Sequence, residues 1–152
     1  MEDEFKIISP AFKDGSEIPS PYTCKGQNIN PPLNIITPPV EAKSFVVIMH
    51  DLDSVQPDFT HWLVWDIANP TETIAANSIP VGAIQGRNDA GTNQYFGPCP
   101  TAGTGSHRYI FDLYAIKQSL GLPSGSSRSE LLAAMEGQII AKTSLTGLFS
   151  AD

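Results

Sequence analysis

The sequence SFVVIMHDLDS, residues 44–54, is the stretch that best predicts the fold. Ser44 to Met49 is almost continuously apolar and rich in β-branched and aromatic side chains, which is typical of a strand buried on both faces. Three ionisable residues, His50, Asp51 and Asp53, lie at the exit of this strand. The stretch therefore predicts a central strand with polar chemistry at one end.

Other segments show the same strand character. Trp62 to Ile67 is a second buried strand. Tyr109 to Ile116 is a third, and its alternation places one face at Tyr109, Phe111, Leu113 and Ala115. Weaker patterns predict extended segments at Phe5 to Ile8, Leu33 to Thr37, Ile79 to Gln85 and Ser144 to Phe149.

One helix is predicted near the C-terminus. Ser127 and Glu130 have the spacing of a capping box, in which each side chain bonds the backbone of the other residue. Apolar residues then follow on one helical face, at Leu131, Leu132, Met135, Ile139 and Ile140.

The composition indicates one β-rich domain. With 152 residues, 41% hydrophobic and 16% charged, the chain has the size and apolar content of a single folded domain, residues 1–152. Thirteen prolines and twelve glycines favour a β-dominated fold with long loops over a helix bundle. The stretch from Pro10 to Pro32 is especially rich in turn residues.

The charge pattern argues against two classes of partner. The formal net charge is −7, and no run of Lys or Arg forms the basic face that nucleic acid or an anionic membrane surface would require. The longest apolar stretch, Phe45 to Met49, is too short to span a bilayer, and the acidic N-terminus lacks the apolar core of a secretory signal. We therefore expect a cytoplasmic protein with no nucleic-acid partner and no stable membrane insertion.

The two cysteines, Cys24 and Cys99, are expected to be free thiols in a reducing cytoplasm. Their separation in sequence does not match a zinc-ribbon pattern. Both lie in turn-rich segments that could flank one rim of the domain. A disulfide between them is therefore an alternative under oxidising conditions.

The ionisable residues fall at the ends of the predicted strands. His61 lies at the entrance of the second strand and His107 at the entrance of the third. If neighbouring strands are antiparallel, the exit of one lies beside the entrance of the next. All three histidines, together with Asp51 and Asp53, would then share one rim.

Each of these residues also has a purely structural interpretation. An Asp after a strand often forms a turn, a His beside Trp62 is often a core residue, and Tyr109 fits the core of its strand. The loop from Gly97 to Ser106, which mixes Pro and Gly, could be a plain surface loop or a source of backbone N–H donors for an oxyanion. The joint placement of the residues favours the functional interpretation.

Five short segments occur in the order and spacing of the phosphatidylethanolamine-binding-protein family. The chain looks most like the bacterial and archaeal Raf-kinase-inhibitor-like branch, and the resemblance extends from the first strand to Leu145-Thr146-Gly147. It implies an antiparallel β-sandwich with one C-terminal helix, long turn-rich loops and a small pocket near the surface. The segments are NPPL at 30–33, DLDS at 51–54, HW at 61–62, GPCP at 97–100 and HRY at 107–109.

The resemblance also implies which residues form the pocket. The family's polar positions are matched by Asp51, Asp53, His61, His107 and Tyr109. Its backbone wall is matched by Gly97, Pro98, Cys99 and Pro100. Strand alternation points Arg108 away from the face of Tyr109, so we expect a structural role for it.

Three prolines of the family's pattern are missing. The Asp-Pro-Asp-Ala-Pro stretch reads DLDSV at 51–55, and Cys-Pro-Pro reads CPT at 99–101. Because proline restricts the unfolded chain, we expect the rim of the pocket to be looser without these residues.

The function that the resemblance implies is binding of a small anion, such as phosphate or a phosphoethanolamine-type headgroup, without a cofactor or catalysis. Relatives also regulate or inhibit protein kinases or proteases, and some are homodimers, so both are expectations for this chain. An Asp that accepts from one imidazole N–H favours the imidazolium, so anion binding should strengthen as the pH falls through about 6–7.

Two enzymatic alternatives use the same residues. His61, His107 and Asp51 could form the facial triad of a metal-dependent enzyme. Cys99 and His107 could instead be the nucleophile and base of a cysteine hydrolase, although a position between two prolines is not one that activates a thiol.

Overall fold

The structure is a computed structural model, and it describes residues 4–55 and 58–151. Within these residues the chain forms nine strands and one α-helix. The strands are β1 (Lys6–Ile8), β2 (Ser16–Glu17), β3 (Leu33–Ile36), β4 (Ser44–Asp51), β5 (Phe59–Ala68), β6 (Thr73–Ile74), β7 (Ile84–Gln85), β8 (His107–Ile116) and β9 (Ile139–Phe149), and the helix α1 is Arg128–Met135.

The strands form two sheets that share one core. The larger sheet has the order β2-β9-β8-β4-β5-β7, and the smaller has the order β1-β3-β6. Neighbouring strands are antiparallel except for the short contact between β2 and β9, which is parallel. Because apolar side chains of both sheets pack into a single cluster, the predicted mainly antiparallel β-sandwich is confirmed.

Strand β4 lies at the centre of the larger sheet, between β5 and β8. Every residue from Ser44 to Asp51 is buried. Phe45, Val47 and Met49 face the core between the sheets, whereas the side chains between them face a second cluster that includes residues of α1. The helix therefore covers the outer face of the sheet, which explains why this strand lacks polar alternation.

The predicted capping box forms, but the helix is shorter than the apolar pattern suggested. Ser127 and Glu130 bond each other's backbone N–H groups, and α1 ends at Met135. The prediction that Ile139 and Ile140 continue the helical face is wrong. Gly137 adopts φ +76°, the chain reverses there, and β9 begins two residues later. No helix in the described part of the chain is long and apolar enough to cross a membrane.

Two strands also differ in length from the sequence prediction. The extended pattern from Ile79 to Gln85 yields a strand at its last two residues only. Gly82 has φ +88°, and the Ala83 N–H donates to the Pro80 carbonyl, so a turn occupies the first part. The segment predicted from Ser144 to Phe149 is the second half of the eleven-residue strand β9.

Replacing Phe45 by Ala should strongly destabilise the protein, because its ring is fully buried in the core between the sheets. We expect the free energy of unfolding to fall by about 3–5 kcal/mol, since the truncation leaves a cavity. Urea unfolding followed by tryptophan fluorescence measures this change. Val81→Ala, at a fully exposed position, is the control and should cost less than about 0.5 kcal/mol. A cost for Phe45→Ala as small as that of the control would contradict this description of the core.

Candidate functional site

The register of the central strands brings four predicted site residues to one rim. Asp51 ends β4 and lies opposite Tyr109 of β8 and Phe59 of β5. His61 is two residues beyond Phe59, and His107 is two residues before Tyr109. Because alternate residues of a strand share a face, all of these side chains point to the same side of the sheet.

Asp51 and His107 form a buried hydrogen-bonded pair. The Nδ1–H of His107 donates to Oδ2 of Asp51 at 2.7 Å, and the backbone N–H of Asp53 donates to Oδ1 at 2.8 Å. Nε2 of His107 lies 2.8 Å from the hydroxyl of Thr104, which donates to the Thr101 carbonyl. The carboxylate therefore fixes the orientation of the imidazole from inside the protein.

His61 is held in its neutral form by its surroundings. Its Nδ1 lies 2.5 Å from the carbonyl oxygen of Phe96, and the two rings stack with centroids 5.6 Å apart. Burial lowers the pKa of His61 below its ordinary value, and the Phe96 carbonyl and the charge of Asp51 offset this only in part. Because a carbonyl can only accept, the proton of the neutral ring is on Nδ1, and Nε2 is an acceptor. An imidazolium that donates to an anion was expected from the sequence, and the surroundings of His61 do not favour that form.

The hydroxyl of Tyr109 lies at the cavity, close to the carboxylate of Asp51. The side chain is fully buried, and among the described residues the hydroxyl makes no hydrogen bond of good geometry. Burial and then the negative charge of Asp51 raise the pKa of Tyr109, so the proton stays on the oxygen. A buried donor left unpaired costs about 1–3 kcal/mol, which an acceptor in the adjoining cavity would recover.

A cavity of about 300 Å³ opens on this rim. Its polar lining comes from Asp51, Ser54, His61, Thr101, His107 and Tyr109. The remaining lining residues are Val55, Phe59, Phe96, Cys99 and Pro100.

Five lining residues were not predicted as pocket residues from the sequence. Phe59 carried a usable signal, because it precedes His61 by two positions and alternation places it on the same face. Ser54, Val55, Phe96 and Thr101 lie in loops, where no periodicity indicates which side chains face a cavity.

Asp53 lies beside the cavity but does not line it. Its Oδ2 accepts from the backbone N–H and Nε of Arg108, and its Oδ1 accepts from a second guanidinium nitrogen, at 2.8–2.9 Å. The hydrogen bond from the Arg108 side chain lowers the pKa of Asp53 to about 2. The pair fastens the turn after β4 to the start of β8, which is the structural role expected for Arg108.

Gly97 and Pro98 support the cavity from behind. The Gly97 N–H donates to Oδ1 of Asn28 at 2.7 Å, and the Pro98 carbonyl accepts from the Cys24 N–H at 3.1 Å. A Cβ at Gly97 would lie 2.4 Å from the carbonyl oxygen of Tyr22, so glycine permits this close approach. The two residues hold the pocket loop against the segment 22–28.

The family model for phosphatidylethanolamine-binding proteins matches residues 8–150. The chain belongs to the phosphatidylethanolamine-binding-protein family. A UPF0098 protein of Aquifex aeolicus is 42% identical over 152 residues, covering 97% of this chain and 89% of the relative. Similarity to UPF0098 proteins confirms the bacterial and archaeal branch that the sequence motifs indicate.

Solved structures of the family show the same fold. A phosphatidylethanolamine-binding-protein homologue of Chlamydia trachomatis is 36% identical and superposes with a TM-score of 0.93, covering 99% of this chain and all of that one. YbcL of Escherichia coli, described as a member of the mammalian family, is 27% identical and gives a TM-score of 0.92 over the same shares of both chains.

In this family member Cys24 and Cys99 form a disulfide, so the prediction of free thiols is wrong. The two residues are 75 positions apart, and only the folded chain brings their loops together. Because Cys99 lines the cavity and Cys24 lies in the supporting segment, the bond ties the pocket loop to its support. It also engages the sulfur that a cysteine hydrolase would need as a nucleophile.

His50 does not share the rim, contrary to expectation. It is the neighbour of Asp51 in β4, so its side chain points to the opposite face of the sheet. There Nε2 lies 2.8 Å from Oδ2 of Asp112, and Nδ1 contacts the carboxylate of Asp58. The site therefore contains two of the three histidines.

The imidazole of His61 should titrate below its ordinary range. A lowered pKa in the folded state means that the unfolded chain binds more protons, so His61 makes the protein less stable as the pH falls below about 6.5. NMR titration of the ring protons measures the midpoint directly. A midpoint at or above the ordinary value would contradict the neutral, carbonyl-bound ring.

Replacing both Cys24 and Cys99 by Ala should lower the free energy of unfolding by about 2–5 kcal/mol, because the unfolded chain loses a long covalent loop. Guanidinium unfolding of both proteins measures the difference. Thiol counting on native protein purified without reductant should detect no free thiol. Two reactive thiols in that sample would show that the bond does not form.

Proposed function

We propose that this protein is a binding protein and not an enzyme, and that its pocket takes the phosphate group of a small headgroup-like ligand. The observation that carries the proposal is the buried hydroxyl of Tyr109, which lines the cavity and has no good partner among the described residues. A phosphate oxygen is an acceptor for this donor. A hydrogen bond to a charged group contributes about 1.5–3 kcal/mol.

Both oxygens of Asp51 already accept hydrogen bonds from the protein. One accepts from His107 and the other from the backbone N–H of Asp53. The carboxylate therefore serves to orient the imidazole. A ligand that carries an amine as well as a phosphate would also place a cation near Asp51 and the ring of Phe59 or Phe96. This favours phosphoethanolamine over inorganic phosphate as the better ligand.

The size of the cavity supports a headgroup and not a whole lipid. A volume of about 300 Å³ is at the lower end of small-molecule sites. Val55, which stands where relatives have proline, is three-quarters exposed at the edge of the cavity. The methylene groups of the ligand would contact this apolar edge, and the phosphate would lie beside Tyr109.

Several broader expectations stay predictions. Regulation or inhibition of a protein kinase or a protease, and formation of a homodimer, rest on family membership. The cytoplasmic location stays a prediction as well, and the Cys24–Cys99 bond counts against it, because disulfides persist mainly in oxidising compartments.

The metal-dependent alternative receives no support from the geometry. Among residues 4–55 and 58–151, no three His, Cys, Asp or Glu side chains are placed to hold one ion. Asp51 and His107 are bonded to each other, and His61 directs Nδ1 to a carbonyl.

Tyr109→Phe should weaken phosphoethanolamine binding by about tenfold or more, because it removes the donor and nothing else. Isothermal titration calorimetry near neutral pH measures the affinity. The same variant should be at least as stable as the parent, since it also removes an unpaired buried hydroxyl.

Tyr114→Phe is the matched control, because Tyr114 lies in the same strand outside the lining of the cavity. It should leave the affinity unchanged. Equal affinities for the parent and Tyr109→Phe, or no measurable binding to the parent, would overturn the proposal.

A further inference from the structure

A second cavity, of about 450 Å³, is lined mainly by carboxamide side chains. Six of the thirteen Asn and Gln residues in the sequence line it, and no Asp, Glu, Lys, Arg or His is among its described lining residues. We call it the amide cavity, and its carboxamides are Gln27, Asn28, Asn30, Asn77, Gln85 and Gln94.

Two of these amides have a fixed orientation. Oδ1 of Asn28 accepts from the Gly97 N–H at 2.7 Å, and Oε1 of Gln85 accepts from the indole N–H of Trp62 at 2.8 Å. Both partners can only donate, so the oxygen and nitrogen of each amide are identified by chemistry. The NH₂ groups of Asn28 and Gln85 therefore remain as hydrogen-bond donors for a ligand.

Three other amides are adaptable. The side chains of Gln27, Asn77 and Gln94 are exposed, and none makes a hydrogen bond to another described residue. Each can turn either its oxygen or its nitrogen toward a ligand. Asn30, by contrast, is occupied, since it bonds Ala75 and the Ser78 N–H.

We propose that the amide cavity binds a small neutral molecule rich in hydroxyl groups, of the mono- or disaccharide type. Each hydroxyl both donates and accepts, which matches a mixture of fixed donors and adaptable amides. A charged ligand would find no opposite charge in the lining, and a purely apolar one would leave the amides unpaired. The volume falls within the usual range for small-molecule sites.

A peptide fits the same cavity less well. Extended peptides usually bind by adding a strand to a free sheet edge. Gln85 belongs to the edge strand β7, but its carbonyl already accepts from the Gly125 N–H. The recognition groups of the cavity are side chains, which suits a compact ligand.

The amide cavity is separate from the proposed phosphate pocket. The two share none of the lining residues that the structure describes, although Tyr95 lines one and Phe96 the other. Binding of a saccharide and binding of phosphoethanolamine can therefore be measured independently, and failure of one does not decide the other.

The test is a two-dimensional ¹H–¹⁵N NMR titration of the full chain with N-acetylglucosamine, methyl glucoside and maltose. We expect saturable shifts of the side-chain NH₂ signals of Asn28 and Gln85, with a Kd in about the millimolar range for at least one of these probes. The signals of Tyr109 and His107 should stay in place.

A double variant, Gln27→Leu with Gln94→Leu, should weaken that binding at least about tenfold. Both side chains are exposed and unbonded, so the variant should keep the parent's spectrum in the absence of ligand. Gln118→Leu, an exposed amide outside the lining, is the control and should bind as the parent does.

Three results would overturn the proposal. They are no saturable shift with any of the saccharides, an equal loss of affinity in the double variant and the control, or tighter binding of a blocked alanine tripeptide than of every saccharide.

Discussion

The complete burial of strand β4 is the constraint on which the rest of the structure depends. The strand is paired on both edges and covered on both faces, so its residues have almost no freedom of position. Asp51 is the last residue of β4, so its backbone is fixed in the same way. The imidazole of His107 is then oriented by a carboxylate that the core itself holds in place. A binding site built on such a strand is more precisely shaped than one built on loops.

Strand alternation sorts the polar residues at this end of β4 into two networks. Asp51 points to the cavity side and bonds His107, whereas His50 points to the other face and bonds Asp112 and Asp58. Both histidines are buried, and each network supplies the hydrogen-bond partners that its buried polar groups require. On the cavity side Tyr109 is the exception, because its hydroxyl has no partner of good geometry among the described residues.

The loop before β8 acquires its shape from contacts with the segment 22–28. The hydroxyl of Tyr95 donates to the Tyr22 carbonyl, Gly97 bonds Asn28, and Cys99 is joined to Cys24. The prolines that the family pattern would place at positions 52, 55 and 101 are absent, so these cross-links are what define the rim on this side. The hydrogen bond from the Gly97 N–H also fixes the side-chain amide of Asn28, which lines the amide cavity.

The sequence alone determined the mainly β fold, the strands of the core, the capped helix and six residues that line the pocket. Burial, periodicity and capping are local patterns, and Cys99 and Pro100 follow from the resemblance to the family. Asp51, His61, His107 and Tyr109 were recognisable since strand ends in an antiparallel sheet meet at predictable places. Strand alternation already implies that His50 and Asp51 face opposite sides of the sheet. Only the tertiary structure decided that Asp53 pairs with Arg108 and that Cys24 reaches Cys99. It also ended the helix before Ile139, because pairing with Ile116 outweighed the helical pattern. These outcomes depend on contacts between residues far apart in the chain, which no local pattern records.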